Sequence, residues 1–150
     1  MIKAAKTFKG LPHRLEFITS INQVDFYNDS KSTNAVSTIT AVNSLLEKYS
    51  QVVLILGGIA KKENYSELIE LVNEKVQTVV LIGESSKVFS EQLSVPTLKI
   101  ARSMEEAVGL SKSFAKGGAI VLSPACASFD MFDNFNDRGD QFKHHVIEGS

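Results

Sequence analysis

Three short segments of this sequence gather side chains able to hold an anion or take part in group transfer. The first, Asp29-Ser30-Lys31-Ser32-Thr33-Asn34, combines hydroxyls, one cation and one carboxylate just ahead of apolar residues at helical spacing. Free N–H groups and the dipole at a helix start favour an anion, and Lys31 and Thr33 add donors. The same residue types cap helices, so capping and anion binding are both open there; Lys31 is the residue that capping does not need. In the second, Leu56-Gly57-Gly58-Ile59-Ala60-Lys61-Lys62, two glycines let the backbone turn sharply or approach a ligand ahead of adjacent cations. A glycine turn with a solvated lysine pair and a carboxylate-binding lysine both satisfy that pattern. It is not a phosphate-binding P-loop, because no segment of the chain matches GxxxxGK[ST]. The third, Ser123-Pro124-Ala125-Cys126-Ala127-Ser128-Phe129-Asp130, has small residues that permit close backbone packing.

The elements that position these segments follow from hydrophobic period. Leu15 to Ile21 and Val24 to Asn28 are β-rich runs separated by Asn22-Gln23, a hairpin pattern. From Asn34, Val36, Ile39, Val42, Leu45 and Leu46 recur at helical spacing, with Ser32 or Thr33 placed to cap the helix start. The chain then alternates: strand Val52 to Leu56, helix Ser66 to Lys75, strand Thr78 to Ile82, helix Ser86 to Leu93. A short edge strand near Leu98 to Ile100, helix Met104 to Ala115 and strand Ala119 to Leu122 complete the pattern. A last helix is expected from about Phe129, with Phe129, Phe132 and Phe135 as its buried stripe and Ser128 near its start. Strands apolar on both faces, alternating with helices, predict a doubly wound α/β domain with a mostly parallel sheet, preceded by the hairpin. Ligands bind such sheets outside the carboxyl ends of the strands, where all three segments fall.

Composition bounds the rest. The 150 residues suit one domain, and a net charge of −1 with interspersed signs gives no bulk reason to expect nucleic acid or an anionic membrane. No apolar run approaches the ~20 residues of a membrane span, and the first ten residues lack a secretory h-region, so cytoplasmic is the default compartment. Cys126 is the single cysteine, which suits a reducing environment; with no base identifiable beside it, it reads as packing rather than as a nucleophile. His13, His144 and His145 are expected at the surface. Adjacent histidines diverge on a helix, so no metal site is expected.

Four segments together resemble the UDP-N-acetylmuramoylalanine–D-glutamate ligases of the Mur ligase superfamily. They are Gly10-Leu11-Pro12-His13-Arg14, Asp29 to Asn34, Leu56-Gly57-Gly58, and Leu122 to Asp130 followed by Phe135 and Arg138-Gly139. The match runs from about Gly10 to Lys143, and the SPACASFD string is its most specific element. The resemblance implies the Rossmann-like C-terminal domain of a three-domain enzyme, with UDP-binding N-terminal and ATPase central domains not contained in this chain. It implies ATP-dependent amide formation through an acyl phosphate, with ATP and Mg2+ bound mainly by the central domain. D-glutamate and UDP-N-acetylmuramoyl-L-alanine would be the other substrates. Carried over position by position, Thr33, Lys61, Ser128 and Phe135 would bind D-glutamate. Arg14 and Asp29 would reach the nucleotide, and Lys31 would lie near the reaction centre. No residue reads as a general base. The pattern departs at Ile59-Ala60-Lys61-Lys62, where Asp or Gly is common around the lysine, and at Ser32, where Ala is commoner; Lys62 is the alternative to Lys61.

Lacking a P-loop, the chain is expected to be inactive alone. A stand-alone nucleotide- or phosphate-binding module, and the same domain of another Mur ligase or a folylpolyglutamate synthase, are the competing readings.

Overall fold

The central strands are uninterrupted apolar runs, which can be buried only when both faces of their sheet are covered. The computed structural model, which describes residues 11–149, has that arrangement. Strands β1 (Glu16–Ile21), β2 (Val24–Asn28), β3 (Val52–Gly57), β4 (Thr78–Ile82), β5 (Thr97–Ile100) and β6 (Gly118–Leu122) form one sheet. Their order is β1-β2-β6-β3-β4-β5, with β1 antiparallel to β2 and every other neighbouring pair parallel. The described helices are α1 (Ala35–Leu46), α2 (Ser66–Lys75), α3 (Ser86–Gln92), α4 (Met104–Phe114) and α5 (Phe135–Glu148). Gly10 and the N-terminal stretch weighed for a secretory signal lie outside the described residues.

Side chains alternate along each strand, so every central strand feeds two cores. Leu54 and Leu56 of β3 pack with Val42, Leu45, Leu68, Val72 and Phe89 from α1, α2 and α3. Val53 and Ile55 face the other way, toward Met104, Val108, Phe142 and Val146 from α4 and α5. Each such side chain contributes about 1.5–3 kcal/mol when fully buried. In the hairpin, Asn22 and Gln23 both take left-handed φ (52° and 68°), the geometry a two-residue turn between twisted strands requires.

Several expected element ends shift by one residue, and one cap and one helix start move further. Asn34, not Ser32 or Thr33, caps α1, its side chain accepting from Ser37 N–H, because the Ser32 hydroxyl is drawn instead to Asp29. The last helix begins at Phe135, not near Phe129. Asn134 caps it, accepting from Asp137 N–H, and a separate turn precedes it, in which Ser128 O accepts from Met131 and Phe132 N–H. The phenylalanine spacing therefore does not mark one helix face. Phe132 is in the core, Phe129 is 69% exposed and Phe135 stands at the helix start.

Candidate functional site

Because β6 lies between β2 and β3, the loops leaving these three strands meet at one end of the sheet. Backbone hydrogen bonds join them. Asp29 N donates to Leu122 O at 2.7 Å, Ala125 N to Ser32 O at 3.0 Å and Gly57 N to Pro124 O at 3.0 Å. Ile59 and Ala127 exchange two bonds at 2.9 and 3.1 Å. Close approach demands glycine at Gly58, where a Cβ would sit 2.3 Å from Ala127 O. Ala125 meets the same crowding with a left-handed φ of 61°.

Asp29 is the buried knot of the first and third loops. Its Oδ2 accepts from the Ser32 hydroxyl at 2.5 Å and the Ser123 hydroxyl at 2.6 Å, and Oδ1 accepts from Leu15 N–H at 2.9 Å. Burial pushes its carboxyl above the ordinary aspartate value, against the pull of those bonds and of Arg14. Arg14 is exposed and shares with Asp29, Ser32 and Thr40 a groove of about 280 Å3.

Arg138, one turn into α5, is fully buried and joins the loops from below. Its Nε donates to Ser30 Oγ at 2.9 Å, Nη1 to Cys126 O at 2.9 Å and Nη2 to Ser30 O at 2.7 Å. Ser30 Oγ in turn donates to Phe135 O at 2.7 Å. Burial draws the guanidinium down to about 10, so it remains a cation at neutral pH. Residue types alone did not expose this role. The available signal was position, since Arg138 falls on the buried stripe of α5 with Gly139, Phe142 and Val146.

The structure places the seven sequence-derived residues at this end of the sheet in distinct states. Lys31 is exposed, and its Nζ lies 5.7 Å from the centroid of the Phe135 ring. Phe135 also meets His13 edge to face at 6.1 Å. Thr33 is half-buried, Lys61 exposed and Ser128 only 2% exposed. None of these three side chains hydrogen-bonds to another described residue. Among the described residues no side-chain nitrogen or oxygen sealed from solvent lacks a hydrogen-bond partner. By contrast the start of α1 is already capped by acceptors from the chain itself, with Glu63 Oε1 on Ala35 N–H at 3.0 Å and Asn34 Oδ1 on Ser37 N–H. Capping, not an open anion site, describes that helix start.

His13 corrects the expectation of a surface histidine. It is 8% exposed because Gly139 leaves room for it; a Cβ there would fall 2.1 Å from His13 Nδ1. Asn28 Oδ1 accepts from Ser30 N–H, which turns Asn28 Nδ2 toward His13 Nδ1 at 2.8 Å and Glu16 Oε1 at 3.1 Å. His13 thus accepts at Nδ1 and carries its proton on Nε2, 3.6 Å from Asp140. His144 is exposed and His145 half-buried. Among the described residues no group of three His, Cys, Asp or Glu side chains is arranged to hold a metal. Cys126 is buried and burial pushes its thiol up to about 11, the state of a packing residue.

Fold and site define a doubly wound α/β domain that presents side-chain donors on the loops after β2, β3 and β6 at the carboxyl end of its sheet. The chain belongs to the family described as Mur ligase, glutamate ligase domain, whose profile it matches over residues 13–126. It is 49% identical over 150 residues to a UDP-N-acetylmuramoylalanine–D-glutamate ligase of Cytophaga hutchinsonii, covering 98% of this chain and 33% of that protein. With the ligase of the same description from Marinobacter nauticus it shares 43% over 152 residues, 99% of this chain and 34% of the relative. The chain spans about a third of the length of the curated relatives it matches. Among solved structures, the MurF ligase of Thermotoga maritima in complex with ADP superposes with a TM-score of 0.63 at 17% identity, over 96% of this chain and 33% of that one. A folylpolyglutamate synthase of Mycobacterium tuberculosis complexed with ADP gives 0.65 at 12%, over 89% and 32%. At those identities the structures speak to fold. Among the described residues, no helix is long and apolar enough to cross a membrane.

Proposed function

We propose that this chain is the C-terminal, amino-acid-binding domain of an ATP-dependent ligase that joins D-glutamate to UDP-N-acetylmuramoyl-L-alanine in peptidoglycan precursor synthesis. The observation that carries this reading is the set of donors on Thr33, Lys61 and Ser128 that bond no other described residue, borne by three loops that are otherwise hydrogen-bonded to one another. A dicarboxylate amino acid loses hydration at each carboxylate on binding, and fixed donors converging from separate loops replace it. The substrate assignment draws its support from the two curated relatives, which share 49% and 43% identity with the chain.

In this reading the Lys61 ammonium pairs with one carboxylate of D-glutamate, and the Thr33 and Ser128 hydroxyls donate to the amino acid. Phe135 bounds the site, its carbonyl occupied by Ser30 and its ring beneath Lys31. Lys31, exposed and mobile in charge position on a flexible stem, serves the reaction centre when the domains close. Arg14 meets nucleotide phosphate, while Asp29, with one lone pair of Oδ1 still free, faces the ribose side of the same groove. ATP with Mg2+, held mainly by the central domain, would phosphorylate the substrate carboxylate and leave as ADP, and the amine of D-glutamate would then displace phosphate from the acyl phosphate; among the described residues no group of three His, Cys, Asp or Glu side chains is arranged to hold the metal. This domain's part is to hold the amine of D-glutamate in line with that centre.

The test uses the full-length protein carrying this domain, with D-glutamate, L-lysine and meso-diaminopimelate offered in parallel. D-glutamate alone should be incorporated. Lys61→Ala and Ser128→Ala should each raise the KM for D-glutamate about tenfold or more, the worth of one lost charge-assisted bond, with the KM for ATP little changed. Incorporation of another amino acid, or equal effects on both KM values, would overturn the assignment.

A further inference from the structure

The donors of the proposed site sit on loops, so their spacing depends on what holds the loop backbones. The segment between β3 and α2, which carries Lys61, is fixed at several points. Ile59 is bridged to Ala127, Lys61 N donates to the Tyr65 hydroxyl at 2.9 Å, and Glu63 N donates to Lys61 O at 2.9 Å. The Tyr65 ring is itself anchored edge to face on the buried Phe89 at 5.3 Å. Gly58 exchanges two further bonds with Ser85, and one side-chain bond reaches α1. Glu63 Oε1 accepts from Ala35 N–H at 3.0 Å, and Ala35 is the first residue of α1.

That bond has a symmetrical placement. Glu63 lies two residues after Lys61, and Ala35 two residues after Thr33. It therefore clamps the lysine-bearing loop to the threonine-bearing loop at equal chain distance from both donors. A carboxylate suits the place, because the first N–H of a helix is unpaired and sits at the positive end of the dipole. The same environment offsets a negative charge that would otherwise repel an incoming dicarboxylate.

We propose, resting on the site assigned above, that Glu63 is a positioning residue that sets Lys61 against Thr33 for one substrate carboxylate, with the Tyr65 hydroxyl as a second support for the Lys61 backbone. Neither side chain need touch substrate. Without the clamp the Lys61 loop keeps its bridge to Ala127 but loses its registration with α1.

Initial rates of the full-length protein, with D-glutamate and ATP each varied, test this in Glu63→Ala, Glu63→Gln, Tyr65→Phe, Lys61→Ala and the Lys61→Ala/Glu63→Ala double variant. Glu63→Ala should raise the KM for D-glutamate about five- to tenfold and leave that for ATP within about twofold, the scale of one hydrogen bond to a charged acceptor. Glu63→Gln keeps an amide oxygen for Ala35 N–H and should stay within about threefold of wild type. The double variant should be no worse than Lys61→Ala, because Glu63 acts through Lys61. Multiplied defects in the double variant, or an unchanged KM for D-glutamate in Glu63→Ala while Lys61→Ala is impaired, would overturn the positioning role and leave the substrate site standing. An unimpaired Lys61→Ala would remove the site itself. If Glu63→Ala does not fold, Tyr65→Phe, which keeps the ring on Phe89, decides: a selective rise of about twofold for D-glutamate supports the proposal and no rise refutes it.

Discussion

Arg138→Met removes a buried cation whose three hydrogen bonds join the loops after β2 and β6. The side chain is nearly isosteric along its stem, so the perturbation is mainly electrostatic and polar. Two buried carbonyls, Ser30 O and Cys126 O, lose their guanidinium donors, at about 1–3 kcal/mol each. Ser30 Oγ still donates to Phe135 O. Against this, a guanidinium with no salt-bridge partner no longer needs desolvating, which returns part of the loss. The expected net destabilisation is about 3 kcal/mol, a large share of the 5–15 kcal/mol typical of a domain. In a chain of this size it corresponds to a fall of about 6–12 °C in Tm. Arg138→Lys should recover little of it, because one ammonium cannot span both carbonyls as the planar fork does. Urea unfolding of the chain followed by circular dichroism measures the change directly. A methionine variant within about 0.5 kcal/mol of wild type would show that the bonds merely balance desolvation, and the account of Arg138 as the tie between loops would fail.

Acidification should weaken the fold through His13. Burial, with the charge of Lys143, holds its imidazole below the ordinary value of 6.5, against Asp140 and Glu16. The folded state thus binds this proton less tightly than the unfolded chain, so stability is present above 6.5 and is lost as pH falls from there through the lower folded value. Protonation also places a hydrogen on Nδ1 against the Asn28 amide. The urea midpoint should drop between pH 7.5 and pH 5, and His13→Gln should flatten that interval; an equal slope in both proteins would refute the assignment. Ala125→Gly should stabilise the chain by about 0.5–1 kcal/mol by relieving a left-handed alanine, as read from the same unfolding curves. A loss of stability would show that the methyl's packing outweighs the strain.

Much of the fold was legible because it is written in short-range period. The central strands β3, β4 and β6 are mainly apolar runs bounded by glycine or polar turns, and α2 spans the residues its pattern marks, Ser66–Lys75. The donors of the proposed site are residue types that follow strands in the sequence, and the substrate proposed for them rests on family resemblance. What escaped was long-range. The Asp29 carboxylate recruits Ser32 and so passes the cap of α1 to Asn34. Three phenylalanines at helical spacing proved to belong to a turn and a later helix. His13 is buried by the absence of a side chain at Gly139, which nothing near His13 in the chain announces. Glu63 reads locally as one of many surface acids, and its partner lies 28 positions away.

The central place of β6 bears on how the protein is made. Synthesis runs from the amino terminus, so β2 and β3 emerge long before the strand that belongs between them. Until residue 118 is available each carries an unpaired edge of the kind that recruits other strands. The contacts that finish the domain join positions 94 residues apart, from Asp29 to Ser123, and 108 apart, from Ser30 to Arg138. Closures of that span are slow and come after local structure. A nascent or truncated chain ending before β6 has the hairpin and the outer strands but no surface on which the three loops can meet. The interval before β6 inserts is when this chain most needs protection from aggregation.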